Sequence, residues 1–136
     1  MSALLPGATL GIIGGGQLAR MMTLEAKRMG YRVCVLTPAG DDPTVALADQ
    51  WVEGSLDDAD AAEQLARASD VVTVDTEHVP ASMLAELERI VPVRPSASVL
   101  GTVQDRRVQR EFLDRIGVSQ RRWRPVREEG DLEGAV

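Results

Sequence analysis

The fold is decided near the N-terminus by the sequence Leu10-Gly11-Ile12-Ile13-Gly14-Gly15-Gly16-Gln17-Leu18-Ala19-Arg20. An apolar strand leads into a glycine turn, and a helix begins immediately after it. Gly14, Gly16 and Ala19 match the spacing G-x-G-x-x-G/A, in which backbone N–H groups at a helix N-terminus face a phosphate. Glycine is required because a Cβ atom would block both the tight turn and the approach of an anion. The motif predicts a phosphate-binding loop, and the alternative is a glycine turn that only packs a helix on a strand.

The end of the second predicted strand, residues 31–36, argues against NAD or FAD as the ligand whose phosphate binds at this loop. A dinucleotide site needs an acidic residue at the end of that strand, roughly 20 residues after the loop, to bind the ribose hydroxyls. Here the strand ends in Thr37-Pro38, and Asp41 and Asp42 follow in a predicted loop. We therefore expect a sugar monophosphate, such as a ribose 5-phosphate, rather than a dinucleotide.

Composition and charge narrow the class of protein. The 136 residues suffice for one domain with a hydrophobic core. A net charge of −6 argues against a nucleic-acid-binding protein, which would carry a basic surface. The sequence has no apolar run of about 18 residues and no signal-peptide pattern, so we expect no membrane association and a cytoplasmic location. The single cysteine, Cys34, lies within a predicted strand and is expected to be a buried hydrophobic residue rather than a nucleophile.

Strand and helix patterns alternate along the first hundred residues. This alternation with short connections predicts an α/β fold, a Rossmann-like open and mostly parallel sheet with helices on both faces. The first predicted helix is expected to place Leu18, Met21, Met22 and Met29 on one side. The expected strands are 9–13, 31–36, 51–52, 70–74 and 91–94, and the expected helices are 17–29, 59–68 and 80–89, with a possible short helix at 43–49.

The pattern changes after Pro95. Ser96 can cap a short helical turn, and residues 104–116 are predicted to form an amphipathic helix that Gly117 ends. Its apolar face would carry Val108, Phe112, Leu113 and Ile116. The remaining residues, 119–136, form a polar segment that includes an arginine-rich part at 121–127.

A second group of polar residues follows the predicted strand at 70–74, in the sequence Asp75-Thr76-Glu77-His78-Val79-Pro80. Ligands of open α/β sheets bind beyond the carboxyl ends of the strands, which places these residues on the same edge as the glycine loop. A carboxylate there can accept hydrogen bonds from ribose hydroxyls. The alternative is that Asp75 and Glu77 cap the helix that begins at Pro80. His78 has no second histidine or cysteine nearby and is interpreted as a turn residue, not a metal ligand.

Three motifs together resemble the 5-(carboxyamino)imidazole ribonucleotide synthases, also known as the ATPase subunit of phosphoribosylaminoimidazole carboxylase. They are Gly14-Gly15-Gly16-Gln17-Leu18-Ala19-Arg20-Met21, then Asp75-Thr76-Glu77-His78-Val79-Pro80, then Gln104-Asp105-Arg106 with Glu111-Phe112-Leu113 and Gly117. Their order and spacing match over nearly the whole chain to about residue 118. The combination is specific, whereas the glycine loop alone is not.

The resemblance implies the fold and chemistry of an ATP-grasp ligase. Such enzymes carboxylate 5-aminoimidazole ribonucleotide with bicarbonate in purine biosynthesis, use ATP with Mg2+, and are commonly homodimers. Residues 1–102 would form the preATP-grasp domain, 103–118 a helix leading out of it, and 119–136 the start of a missing ATP-grasp domain or a flexible tail. The phosphate-binding lysines, the glycine-rich lid and the acidic magnesium ligands belong to the other domains. The resemblance therefore implies no catalytic and no metal-binding residue in this chain, and an inactive fragment.

Site residues follow from the resemblance position by position. Asp75 and Glu77 would bind the substrate ribose, where many members carry a Glu-x-Glu pair, and Arg106 would contact ATP. The ribonucleotide phosphate would lie on Gly15, Gly16, Gln17 and Leu18.

One departure from the family pattern and two alternative functions are considered. Ser119-Gln120-Arg121-Arg122-Trp123 stands where the family usually has a small, proline-containing apolar link. One alternative is a non-catalytic module that binds a nucleotide or sugar phosphate. Another is the preATP-grasp domain of a glycinamide ribonucleotide transformylase, whose loop usually has Glu at the position of Gln17, so that Gln17 favours the carboxylating enzyme.

Overall fold

The computed structural model describes residues 3–126. Its contacts divide the chain into two compact units, Met1–Gly101 and Thr102–Val136. The last ten residues, with Arg127 and most of the predicted tail, lie outside the described part. The three domain boundaries expected from the sequence stay predictions.

The first unit is built on a four-stranded parallel sheet. The strands are β1 (Thr9–Ile13), β2 (Arg32–Thr37), β3 (Gln50–Glu53) and β4 (Val71–Val74), in the spatial order β3-β2-β1-β4. In the register of the sheet, Ile13 lies opposite both Leu36 and Val74, so that β1, β2 and β4 end at one edge. The predicted α/β class and its parallel sheet are confirmed.

Helices cover the sheet on both faces and bury nearly continuous apolar strands, as parallel sheets require. On one face, α2 (Ala59–Arg67) and α3 (Ala81–Leu87) contribute Leu65 and Leu84 to a core with Ile13 and Leu36. On the other face, α1 (Gln17–Arg28) packs Ala19 and Ala26 against Ile12 and Val33. Asp58 begins α2 as its N-cap and accepts a hydrogen bond from the Ala61 N–H at 3.0 Å, which is consistent with the expected acidic start of this helix.

The buried side of α1 differs from the prediction. Ala19, Thr23 and Ala26 are buried, and Met22 is half-buried and packs against the same core. Leu18, Met21 and Met29 are exposed. The physical reason is the glycine loop, which brings the first turn of the helix so close to β1 that small side chains fill the contact. Helical periodicity alone would have placed the largest apolar residues there.

Three other elements also differ from the sequence prediction. Residues 43–49 form turns rather than a short helix, and the predicted strand at 91–94 is reduced to one parallel bridge between Val72 and Val93. Beyond Pro95 the chain forms two helices, α4 (Ala97–Gln104) and α5 (Arg106–Arg115). Asp105 separates them because its carboxylate caps α5, accepting from the N–H groups of Arg107 at 2.7 Å and Val108 at 3.1 Å.

The second unit contains α5 and the extended segment that follows it. No residue of α5 is buried, although Val108 and Leu113 of its predicted apolar face are half-buried. Gln120 and Trp123 fasten the extended segment to the helix by donating hydrogen bonds to the Asp114 carboxylate at 2.6 and 2.8 Å. Within residues 3–126, the structure contains no helix with the length and apolar character needed to cross a membrane.

Candidate functional site

The strand order places a topological switch point at the carboxyl edge of the sheet, where a ligand crevice is expected. β1 is the first strand in sequence but lies between β2 and β4, so the chain leaves β1 towards one face and β4 towards the other. Such a switch point is where open α/β sheets bind their ligands. The glycine loop follows β1 and Asp75 follows β4, so the structure brings together the two groups that the sequence placed on one edge.

Asp75 lies directly against the glycine loop. Gly14 has a φ of +119°, a backbone conformation that L side chains rarely adopt, and a Cβ atom there would overlap the Asp75 carboxylate. A Cβ atom on Gly16 would lie 3.6 Å from Asp75 Oδ2. The carboxylate lies near enough to the backbone N–H groups of Ala19 and Gly16 for them to lower its pKa. Asp75 therefore lies beside the start of α1.

The electrostatics of Asp75 reflect this confined position. Burial raises the pKa of its carboxyl above the ordinary value, and the negative charge of Asp42 raises it further. The backbone N–H groups of Ala19, Gly16 and Asp75 itself lower the pKa, but not enough to cancel the effect of burial. An anion entering the crevice would meet a carboxylate that is easier to protonate than an exposed one.

The loop after β2 forms the opposite wall of the glycine loop. The Thr37 hydroxyl donates a hydrogen bond to the Asp42 carboxylate. A Cβ atom on Gly15 would lie 2.5 Å from Thr37 Oγ1 and 2.6 Å from Asp42 Oδ2, so only glycine fits at this position. The loop therefore brings the Asp42 carboxylate back to the end of β2, whereas the sequence suggested that this carboxylate lies away from the strand end. No local sequence signal indicates this return, because it depends on packing of the loop against Gly15.

Trp51, at the edge of the sheet, fastens this loop. Its indole Nε1 donates a hydrogen bond to the Thr37 carbonyl oxygen at 3.1 Å. A Cβ atom on Gly40 would lie 2.9 Å from the indole ring, which shows how closely the loop crosses it. Thr44 completes the attachment, since its buried hydroxyl donates to the carbonyl oxygens of Gly15 and Gly16.

The other residues expected in the ribonucleotide site differ in exposure. Gln17 and Leu18 begin α1 and are exposed, as are Gly16 and Glu77, whereas Gly15 is buried. Within residues 3–126, the N–H groups of Gln17 and Leu18 have no intramolecular hydrogen-bond acceptor. The first N–H groups of a helix are free in this way by geometry and are suited to bind an anion.

Arg106 lies in the second unit, at the first position of α5. It is exposed and donates a hydrogen bond to Gln109 Oε1 at 3.1 Å. Arg107 forms an ion pair with Glu111 at 3.0 Å, and Arg110 donates to Gln120 Oε1 at 3.0 Å. A cleft of about 510 Å3 opens within this unit, and its lining consists of Asp105, Arg106, Arg107, Arg110, Trp123, Arg124, Pro125 and Val126. Guanidinium groups around an aromatic ring suit a ligand that carries phosphates and a base.

Metal ligands are not grouped in the described residues. Across residues 3–126, no three His, Cys, Asp or Glu side chains lie close enough together to hold a metal ion. Asp42 and Asp75 are the acidic side chains beside the glycine loop, and two carboxylates do not make such a group.

Comparisons with known proteins agree with the geometry. The sequence profile of the ribonucleotide synthetase preATP-grasp domain matches residues 7–104. The chain is 38% identical over 135 residues to N5-carboxyaminoimidazole ribonucleotide synthase of Brucella melitensis, covering 99% of this chain and 37% of that protein. The chain thus spans about a third of the length of the curated relatives it matches.

Solved structures show the same similarity. A crystal structure of N5-carboxyaminoimidazole ribonucleotide synthetase in complex with ADP superposes with a TM-score of 0.91 at 38% identity, over 97% of this chain and 35% of the other. The synthase of Aspergillus clavatus in complex with ADP and 5-aminoimidazole ribonucleotide gives a TM-score of 0.72 at 32% identity, over 84% and 31% of the two chains. With a profile match over most of its length, the chain belongs to the ribonucleotide synthetase preATP-grasp domain family.

Proposed function

We propose that this chain is the N-terminal, substrate-binding part of an N5-carboxyaminoimidazole ribonucleotide synthase. The complete enzyme would be an ATP-dependent carbon–nitrogen ligase that joins bicarbonate to the amine of 5-aminoimidazole ribonucleotide in purine biosynthesis. The observation that carries the proposal is the contact between the glycine loop and Asp75, at the switch point of a chain with this family's fold. A relative from Aspergillus clavatus, solved with ADP and 5-aminoimidazole ribonucleotide, supports the substrate.

In this proposal the ribonucleotide phosphate lies on Gly15, Gly16, Gln17 and Leu18. The free N–H groups at the start of α1 and the positive end of the helix dipole favour a phosphate there. Asp75 and Glu77 accept hydrogen bonds from the ribose hydroxyls. Glu77 is exposed and close in sequence to Asp75, so both carboxylates follow the same strand.

ATP is assigned to Arg106, whose guanidinium belongs to the arginine-lined cleft of the second unit. Magnesium, bicarbonate, a cytoplasmic location and a homodimer are parts of the proposal that rest on the family resemblance. No step of the proposal places magnesium on residues 3–126, which contain no group of metal ligands.

Isothermal titration calorimetry of the 136-residue chain tests the substrate assignment. We expect 5-aminoimidazole ribonucleotide and ribose 5-phosphate to bind, and NADH not to bind. Tight binding of NADH, with Asp42 at the end of β2 as its ribose acceptor, would replace the proposal by a dinucleotide site. Binding of none of the three ligands would also contradict it.

An activity assay tests the assignment of the chemistry to the rest of the enzyme. The 136 residues correspond to about a third of each curated relative. We expect the purified chain alone to release no ADP from ATP in the presence of bicarbonate and 5-aminoimidazole ribonucleotide. Substrate-dependent ADP release would show that this chain carries catalytic groups that the proposal assigns elsewhere.

A further inference from the structure

Thr44 forms hydrogen bonds with the backbone of the glycine loop, residues 14–16. Its side chain is fully buried, and its hydroxyl lies 2.9 Å from the Gly15 carbonyl oxygen and 3.1 Å from the Gly16 carbonyl oxygen. The Thr44 N–H also donates to the Gly15 carbonyl oxygen, at 3.3 Å. One side chain from the loop after β2 therefore contacts two consecutive peptide groups of the glycine loop.

Peptide geometry gives this contact a consequence at the opposite side of the loop. In a trans peptide the C=O of one residue and the N–H of the next point in opposite directions. Fixing the carbonyls of Gly15 and Gly16 towards Thr44 therefore directs the N–H groups of Gly16 and Gln17 away from it. The Asp75 carboxylate lies beside Gly16, and the Gly16 N–H lowers the pKa of this carboxyl, as an N–H group directed towards it would. The Gln17 N–H, which has no acceptor among the described residues, shares this orientation.

The backbone flexibility of the glycine loop explains why a contact from Thr44 matters for the orientation of its peptide groups. Gly14, Gly15 and Gly16 have the widest backbone freedom of any residue type, so their peptide planes can rotate at little cost. The Gly16 carbonyl oxygen also accepts from the Arg20 N–H, so α1 helps to hold that peptide. Among the described residues, the Gly15 carbonyl oxygen accepts only from the hydroxyl and the N–H of Thr44, which therefore supply the main constraint on the peptide between Gly15 and Gly16.

We propose that Thr44 is a positioning residue of the phosphate site, orienting the N–H groups of Gly16 and Gln17 towards the crevice through the carbonyl oxygens of Gly15 and Gly16. The inference rests on the proposed function, since it assumes that the loop binds the phosphate of a sugar phosphate. It adds a residue that does not touch the ligand and lies on a different loop from the glycines.

The variant Thr44→Val tests the positioning role of the Thr44 hydroxyl in a chain that should still fold. Valine has nearly the shape of threonine but carries a methyl group in place of the hydroxyl, so it removes the side-chain donor. Both carbonyls keep another donor, because Gly15 accepts from the Thr44 N–H and Gly16 from the Arg20 N–H at 2.9 Å. We therefore expect the variant to fold. Thr44→Ser keeps the hydroxyl and loses a methyl group, so it should retain the orientation of the loop.

Thr23→Val is a matched control within the same unit. Thr23 is also fully buried, but its hydroxyl has no hydrogen-bond partner among residues 3–126. The same chemical change at Thr23 should leave ligand binding unaltered. Any loss of affinity that follows from removing a buried hydroxyl in general would appear in this control.

The test measures the affinity of each variant for ribose 5-phosphate by calorimetry, together with the amide NMR shifts of Gly16 and Gln17 during the titration. We expect Thr44→Val to bind about fivefold more weakly, and Thr44→Ser and Thr23→Val to stay within about twofold of the parent chain. The Gly16 and Gln17 amides should shift with ligand in the parent chain and shift less in Thr44→Val.

The outcomes separate the inference from the function on which it rests. Equal affinity of Thr44→Val and the parent chain would overturn the inference and leave the proposed function intact. A loss in Thr44→Val that Thr44→Ser does not restore would overturn it too, because the hydroxyl would not be the active group. If the parent chain binds no ribose 5-phosphate, the proposed function fails and the inference fails with it.

Discussion

The Asp75 carboxylate lies against the Cα atom of Gly14, in the space that a Cβ atom of residue 14 would occupy. This contact joins the ends of β1 and β4, the two strands that flank the crevice. Glycine is needed at position 14 for two reasons. It adopts a positive φ, and it leaves the space that the Asp75 carboxylate occupies. The two requirements can be separated by experiment.

Gly14→Ala should destabilise the protein through both effects. A positive φ at a non-glycine residue costs about 1–3 kcal/mol, and the overlap with Asp75 adds to it. Gly7→Ala is the matched control, since Gly7 has a φ of +95° and nothing within 4 Å of an added Cβ atom. In urea unfolding, Gly14→Ala should lose clearly more free energy of unfolding than Gly7→Ala. Adding Asp75→Ala to Gly14→Ala should recover the steric part, and no recovery would show that the carboxylate does not restrict residue 14.

Asp75→Asn tests the assignment of Asp75 to the ribose. The amide keeps the shape of the side chain but loses the charge and one acceptor, so ribose 5-phosphate should bind about tenfold more weakly. Inorganic phosphate lacks the hydroxyls and is repelled by the carboxylate, so its affinity should stay the same or increase. Parallel titrations with the two ligands distinguish the effects. An equal change for both ligands would mean that Asp75 acts on the phosphate alone.

Much of this site could be predicted because short stretches of sequence encode its elements. The order strand, glycine turn, helix is encoded within eleven residues, and the parallel sheet follows from the alternation of elements. The position of Asp75 on the glycine-loop edge required only that it follow a buried strand. Its contact with Gly14 and the start of α1 was not predictable, because the alternative of capping α3 used the same residues.

The wall formed by Asp42 and Thr44 could not be predicted in the same way. These residues lie in a loop without helical or strand periodicity, and their contacts with Gly15 depend on how the loop folds back over the end of β2. The exposure of Leu18 and Met21 was missed for a related reason. The distance between a helix and its sheet depends on tertiary packing, and periodicity contains no information on that distance.

Cys34 should be unreactive in the folded protein. It was predicted to be a buried hydrophobic residue, and the structure confirms a fully buried side chain within β2. Burial raises the pKa of its thiol to about 11, so almost no thiolate exists near neutral pH. Dithiobis-nitrobenzoate should label the native chain very slowly at about pH 8 and label one thiol at once in denaturant. Rapid labelling of the native chain would show that β2 opens readily.

Because of Asp49, the free energy of unfolding of the first unit should decrease at low pH. Its carboxylate accepts from Lys27 Nζ at 2.7 Å and from the Val33 N–H at 2.8 Å. The hydrogen bond from Lys27, followed by that from Val33, holds the pKa of Asp49 below its usual range. The native state therefore binds this proton less readily than the unfolded state. The resulting stabilisation is fully present above the unfolded pKa of about 3.9 and is lost as the pH falls through the lower native pKa.

Asp49→Asn removes this contribution while keeping an oxygen acceptor for the Val33 N–H. The ion pair is partly exposed, with side-chain exposures of 41% for Lys27 and 37% for Asp49. We therefore expect a loss of less than about 1 kcal/mol at pH 7, reduced further by added salt. Urea unfolding of the two proteins between about pH 7 and pH 2 should show curves that converge as the parent carboxylate becomes protonated. Lys27→Met provides the second half of the test, since it should cause a similar loss at neutral pH by removing the other partner. A difference between Asp49→Asn and the parent chain that stays constant with pH would mean that the loss comes from altered packing around Val33 and not from the charge.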